Sequence, residues 1–281
     1  MGRRRFDALV VLACRACALV GLGGVVWLLA DVVRHGASRL SWSFLLEAPL
    51  DFGRAGGIGP ILVSTAWILG VCLGCAVPLG LGAGLYLAEF ASRAGWGPQL
   101  ARRSLDVLAA VPSVVFGLFG AAFFCDLCGM GYSILAGGLT LACMVLPLAV
   151  RTTEEGLRGV GSELRLGGAA LGLSRAAVLR RLLLPAALPA LAVGLVLSIG
   201  RAMAETAALL FTSGYATRMP DSLADPGRAL SVHVYDLALH VPGGEGAAYA
   251  SALVLALFLL VIDAAAAWMA HRWLRSRWRP L

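Results

Sequence analysis

Long apolar runs separated by short charged segments set the pattern of this chain. Six stretches reach the roughly 20 residues that a helix needs to cross a hydrocarbon core of about 30 Å. They cover 10–33, 61–88, 105–125, 132–150, 187–211 and 249–270. The pattern predicts an all-α, polytopic membrane protein with six transmembrane helices. The first run follows Arg3, Arg4 and Arg5, as the core of a signal peptide would. It continues to Val33, which is longer than such a core, and reads as a retained anchor. Two connections on one side are long, 34–60 and 212–248. The first carries Trp42, Phe44, Leu45 and Leu46, an interfacial helix by composition, ahead of Gly53, Gly56, Gly57, Gly59 and Pro60. The second places Pro220, Pro226 and Pro242 around a short amphipathic piece from Ala229 to His240. Neither reads as an independent soluble domain.

Composition agrees, and charge adds an orientation. Of 281 residues, 59% are apolar and 14% charged, against about 25% charged in soluble chains. The net charge of +7 raises nucleic acid as a partner, so the placement of the basic residues decides. All 23 are arginine, and the chain has no lysine. That excludes a phosphate-gripping P-loop lysine or a Schiff base on this chain. With the N-terminus inside, 3, 3, 6 and 4 arginines fall in the N-terminal arm, the 89–104 loop, the 151–186 loop and the tail. Outside stand only Arg34, Arg39, Arg54, Arg218 and Arg228, with Arg15 and Arg201 inside spans. The positive-inside rule therefore places both termini in the cytoplasm. The basic balance reports topology, and no nucleic-acid partner is expected. The chain divides into a cytoplasmic arm (1–9), a six-helix domain (10–270, with a cytoplasmic coupling segment at 151–186) and a cytoplasmic basic tail (271–281).

The side chains that usually carry catalysis form no constellation. Cys14/Cys17 and Cys72/Cys75 are three apart within apolar spans, where cysteine is a small packing residue. Cys125 and Cys128 fall at a predicted external turn, where a disulfide is an open reading. No histidine has metal-ligand spacing with another His or Cys, and neither a G-x-S-x-G elbow nor an H-E-x-x-H motif is present. The expectation is a non-enzyme with no metal and no cofactor.

Two segments carry chemistry of another kind. In the 151–186 loop, Gly172 is a natural helix stop and Ser174 a natural N-cap. This predicts a short helix, a break, and a second helix leading into the fifth span. Leu164, Ala170 and Leu171 give the first helix an apolar stripe beside arginines. Periodicity leaves two readings: a helix resting on lipid headgroups, or a knob that docks into another protein.

The fifth span holds Arg201 and Glu205, about 20 Å from its cytoplasmic end at 1.5 Å per residue. An arginine at mid-membrane costs about 2.5–3.5 kcal/mol, so the site should face a bundle interior or water. The two share a face at i,i+4 beside a small-residue stripe of Gly194, Ser198, Ala202 and Thr206. One reading is a structural ion pair. The other is an anion waypoint formed by Arg201, Glu205 and Thr206, because a guanidinium fork matches two oxygens of an oxyanion and never deprotonates. Glycines and prolines in spans two to four, such as Gly80, Gly84, Pro112 and Pro147, suit bending and close packing equally.

The run from Ala170 to Pro189, A-L-G-L-S-R…L-L-L-P-A-A-L-P, resembles the cytoplasmic coupling motif of ABC-transporter permease subunits. Gly57-Ile-Gly-Pro60, Val111-Pro-Ser-Val-Val-Phe-Gly-Leu-Phe-Gly120, Leu146-Pro-Leu-Ala-Val-Arg-Thr-Thr-Glu-Glu155 and Gly200-Arg-Ala-Met-Ala-Glu-Thr206 are similar to the phosphate-import permeases, the PstA type more than the PstC type. The resemblance implies a type I ABC importer permease of the bacterial inner membrane. Its implied partners are a paralogous PstC-like permease, PstB-like ATPase subunits, an external PstS-like phosphate-binding protein and membrane lipid. It implies that Glu163, Leu164, Arg165, Ala170, Leu171 and Gly172 contact the ATPase. This chain departs from the family in reading Leu166-Gly167-Gly168 where E-A-A is usual, which removes the acidic docking residue; Glu163 stands one turn earlier. A permease for sulfate or molybdate, and a stand-alone secondary transporter using Arg201 and Glu205, are the alternative functions.

Overall fold

A computed structural model describes residues 2–92 and 95–277; Arg93 and the last residues of the basic tail, 278–281, lie outside the described residues. In chain order the elements are α1 (Gly2–Gly36), α2 (Trp42–Leu46), an antiparallel hairpin of β1 (Pro49–Leu50) and β2 (Ala55–Gly56), α3 (Gly59–Leu85), α4 (Trp96–Ala110), α5 (Ser113–Gly120) and α6 (Ile134–Arg158). There follow α7 (Ser162–Ala170), α8 (Arg175–Val178), α9 (Leu184–Ala204), α10 (Ala207–Leu210), α11 (Leu230–Leu239) and α12 (Glu245–Arg277). Wider π-helical turns extend α3 over Tyr86–Phe90, extend α5 over Ala121–Leu127, and join α8 to α9 over Leu179–Leu183.

Five of the expected spans are continuous apolar helices: Leu9–Arg39, Gly59–Phe90, Ile134–Arg158, Arg175–Ala204 and Glu245–Trp268. The third is not. The expected helix over 105–125 is broken at Val111-Pro112, and α4 meets α5 at 99°. Pro112 has no N–H to give and biases Val111 toward extended backbone, which it adopts at φ −66°, ψ 130°. The polar half, α4, buries none of its residues, and the apolar part of the bent pair is Ser113–Leu127.

The centre of the bundle is the packing of α3 on α6. At Gly80 a Cβ would lie 2.6 Å from that of Ala149, and at Gly84 it would lie 2.6 Å from both Thr153 Cβ and the Val150 carbonyl. This spacing of small residues lets two backbones approach where lipid supplies no hydrophobic drive between helices. For these two glycines packing is the reason, whereas Gly74 and Gly82 face open space. Pro147 sits inside α6 without ending it. Around this pair Ile68, Cys72, Leu141, Val145, Ala202 and Leu209 form the main core. Cys72 thus packs as expected, while Cys14 and Cys17 are exposed on α1, and Cys125 and Cys128 are free thiols.

The expected interfacial helix is α2, capped by the Ser41 hydroxyl, which accepts from the Phe44 N–H at 3.1 Å. Trp42 and Leu46 project outward while Phe44 packs on Ile58, Ile61 and Leu230. The piece expected from Ala229 is α11, which lies outside the spans and is too short to be one. On α11, His233 is fully buried; its Nδ1 is 3.5 Å from Arg228 Nη1 and its Nε2 has no hydrogen-bond partner. Burial, reinforced by the Arg228 charge, pushes the imidazole down to about 3. The fold holds the neutral ring and the unfolded chain binds the proton more readily, so stability present above about pH 6.5 is lost as pH falls toward 3. His233→Leu should therefore flatten the fall in melting temperature between pH 7 and 4.5; an unchanged slope would contradict this assignment.

Candidate functional site

Arg201 lies on the last turn of α9, and its depth follows from the neighbouring helix. A Cβ on Gly156 of α6 would lie 3.0 Å from Ala190 Cβ, and a Cβ on Gly194 would lie 2.6 Å from Thr152 Cβ. The two helices are therefore antiparallel, and continuing the same register sets Arg201 level with Val145. That is inside the apolar run of α6, ahead of the charged stretch that begins at Arg151. The small-residue stripe is used as expected over Gly194, Ser198 and Ala202, which are buried in this chain. Arg201 is exposed on the chain's surface.

The expected i,i+4 pairing of Arg201 with Glu205 does not form. The helix ends at Ala204, and Glu205 is extended at φ −76°, ψ 125°. Its backbone carbonyl, which a continuing helix would offer to residue 209, accepts the Ser231 hydroxyl at 2.6 Å. Its carboxylate turns toward the next helix and accepts the Ala208 N–H at 3.4 Å. Thr206 is half-buried at the start of α10 (φ −114°, ψ −50°), beyond the stripe it was expected to extend. Among the described residues, no ion pair includes Arg201 or Glu205. The structural ion-pair reading thus falls among the described residues, and a cation stands within the apolar span beside a broken helix.

The expected coupling residues gather at the other end of the bundle. Gly172, at φ +70°, stops α7, and the Ser174 hydroxyl caps α8 by accepting the Ala177 N–H at 3.3 Å. Glu163, Leu164, Ala170, Leu171 and Gly172 are exposed together, with Leu166 also outward. Exposed leucines on and just after a short helix are a surface suited to a protein partner. Arg165 behaves differently: it turns back and pairs with Glu89 at 2.5 Å. The two glycines of the Leu166-Gly167-Gly168 departure are unequal. A Cβ at Gly168 would meet Val178 Cγ2 at 2.6 Å, whereas Gly167 faces open space. Gly167→Ala should stabilise α7 by about 1 kcal/mol and Gly168→Ala should destabilise by about 1–3 kcal/mol. Melting temperatures of the purified protein give the comparison, and a rise for both would count against the close packing of α7 on α8.

Sequence reasoning missed a charged hub at this same end. Glu154, almost buried, accepts from Arg102 Nε at 2.9 Å and pairs with Arg158 Nη2 at 2.6 Å. Both arginines also donate to the Leu87 carbonyl, at 2.9 and 3.4 Å. Arg151 pairs with Asp106 of α4 beside them. The hub surrounds a cavity of about 320 Å³. The available signal was the R-T-T-E-E run after Val150, because α6 continues helically through it to Arg158.

Three comparisons bear on this arrangement. The family described as "Binding-protein-dependent transport system inner membrane component" matches residues 77–275. The chain is 32% identical to "Probable ABC transporter permease protein YqgI" of Bacillus subtilis (strain 168), covering 96% of both chains. It is 31% identical to "Phosphate transport system permease protein PstA 2" of Mycobacterium bovis, covering 92% of this chain and 86% of that one. It is 30% identical to the PstA protein of Yersinia pestis, covering 93% and 88%. In fold it is similar to a chain of a bacterial ABC transporter involved in the import of the acidic polysaccharide alginate, with a TM-score of 0.63, 14% identity and coverage of 92% and 95%. It is also similar to a chain of the MetNI methionine ABC transporter, with a TM-score of 0.61, 15% identity and coverage of 76% and 95%.

Proposed function

We propose, from the premise that this chain belongs to the family of binding-protein-dependent transport system inner membrane components, that the cargo it passes is inorganic phosphate. It is a permease subunit of an ABC importer, a transport component rather than an enzyme. That family places it in the inner membrane and implies an ATPase and an external substrate-binding protein as partners. The stand-alone transporter reading is thereby set aside. The phosphate reading rests on the names of the PstA relatives, and the observation that carries it on this chain is Arg201, exposed within an apolar span and in no ion pair among the described residues. A guanidinium there presents two parallel N–H donors to two phosphate oxygens. With the Glu205 carboxylate directed at Ala208, Arg201 forms no ion pair among the described residues.

In this reading the exposed face is completed by a PstC-like permease. PstB-like ATPases dock on the Leu164–Gly172 surface, and a PstS-like protein delivers phosphate at the hairpin and α11 end. The arginine distribution then sets both termini in the cytoplasm.

One observation keeps a second cargo in view. The fork fits any tetrahedral oxyanion, and the Bacillus subtilis relative is named only as a probable permease. Uptake of radiolabelled phosphate in cells lacking other phosphate importers, with this chain and its partners expressed, tests the choice. Energy-dependent uptake that a hundredfold excess of sulfate or molybdate leaves unchanged is the expected result. Suppression by either anion, or no phosphate uptake, would overturn it.

A further inference from the structure

At the α7 end, one side chain ties three elements together. Arg165 of α7 donates from Nη2 to Glu89 Oε1 at 2.5 Å and from Nε to Glu89 Oε2 at 3.2 Å, gripping the carboxylate with two prongs. The same guanidinium donates to the Leu157 carbonyl in the last turn of α6 at 2.8 Å and to the Val160 carbonyl just beyond it at 2.7 Å. The side chains of Arg165 and Glu89 are mostly sheltered, at 29% and 15% exposed. Glu89 belongs to the π-helical turn Tyr86–Phe90 that closes the α3 span. From that same turn, the Leu87 carbonyl receives Arg102 and Arg158, which are themselves joined through Glu154. The ends of α3 and α6 and the middle of α4 are thus bound to each other, and Arg165 binds α7 to the set.

The rest of the attachment of α7 is of a different kind. Gly168 lies against Val178, and Leu173 and Leu182 pack nearby in an apolar cluster. Apolar side chains resist separation and tolerate sliding, because their attraction has no preferred direction. A forked arginine–carboxylate pair fixes both distance and orientation. Leu164 and Leu166, which flank Arg165 on α7, stay exposed. A π-helical turn is also a common place for a helix to carry function.

We propose that the Arg165–Glu89 pair is the link through which displacement of α7 by the ATPase reaches the pathway helices α3 and α6. Arg165 is then a positioning residue that touches neither the cargo nor the ATPase. This inference rests on the reading of the chain as an ATPase-coupled permease. It predicts that the pair matters as a pair. Arg165→Glu or Glu89→Arg should each lower phosphate accumulation at least tenfold and abolish the stimulation of ATP hydrolysis by the loaded external binding protein, with the ATPase still co-purifying. The exchange E89R/R165E should bring both readouts back to within threefold of the native complex. Arg165→Lys, which keeps charge and loses the fork, should recover less than the exchange does.

The measurements use the assembled complex with its full-length subunits, phosphate as the transported probe and co-purified ATPase as the control for assembly. If single reversals keep accumulation and stimulation within twofold, the link does not exist. Loss in both singles with no recovery in the exchange also overturns it. Should a reversal prevent assembly, Glu89→Gln decides. It keeps the shape and weakens the grip, so about a threefold loss of stimulation supports the link and an unchanged value refutes it. A native complex that shows stimulation but accumulates no phosphate would overturn the cargo assignment alone, because stimulation still reads the pair.

Discussion

Arg201→Ala is expected to lower phosphate accumulation at least a hundredfold while leaving the amount of the protein in the membrane unchanged. Arg201 makes no ion pair among the described residues and is exposed on its subunit, so its removal breaks no contact that holds the fold. An arginine at that depth is itself a cost of about 2.5–3.5 kcal/mol, which alanine relieves. What the variant loses is charge-assisted hydrogen bonding to the passing anion, worth about 1.5–3 kcal/mol per bond. Two such bonds account for the factor, since each 1.4 kcal/mol is tenfold. Arg201→Lys should fall between native and alanine, because an ammonium keeps the charge without the fork. Glu205→Gln should change accumulation less than threefold, since its carboxylate faces the Ala208 N–H and an amide oxygen accepts that bond as well. Radiolabelled uptake with immunoblotting of membranes reads all three. Undiminished uptake by Arg201→Ala would remove the waypoint.

The second large effect is on assembly of the bundle. Gly84→Leu should destabilise the protein by about 3 kcal/mol or more, because even a Cβ there would lie 2.6 Å from a neighbouring carbonyl oxygen and from Thr153 Cβ. Thr153 is buried and its hydroxyl donates to the Ala149 carbonyl, so it has no room to yield. At Gly82, two residues earlier, a Cβ meets nothing within 4 Å, and Gly82→Leu should be neutral or slightly stabilising, since leucine is the better helix former. Thermal unfolding of the two purified variants gives the contrast. Equal melting temperatures would show that α3 and α6 are not held at this distance in solution.

The local signals along the chain account for much of what is seen. Apolar length found five spans directly, because a membrane helix must satisfy its backbone internally and carry about 20 apolar side chains in sequence. Turn chemistry found the stop at Gly172, where positive φ favours a residue without Cβ, and the cap at Ser174. The same local rules held the warning for the third span, since Pro112 bars the N–H that a straight helix would need there.

The candidate site was legible in part. Arg201 stood out because a charge inside an apolar run is rare and costly, a property of its neighbours in sequence. The break at Glu205 had no such signal: no glycine or proline stands there, and the carbonyl it frees is taken by the Ser231 hydroxyl of α11, 26 residues on. With the helix ended, the i,i+4 pairing does not form. Arg165 likewise reads in sequence as one of several exposed basic residues on an amphipathic helix, yet its partner Glu89 lies 76 residues away.

The sequence by itself determined that this protein is a membrane-spanning helical bundle, roughly where its helices run, and which residue types stand at unusual depth. Those are consequences of local composition and of hydrogen bonding within one segment. Only the tertiary structure decided which charges are spent and which remain free. Glu154 collects Arg102 and Arg158, Glu89 collects Arg165, and Arg201 is left without an acid among the described residues. Pairing depends on distances between helices that are remote in sequence, and no periodicity within one helix encodes them.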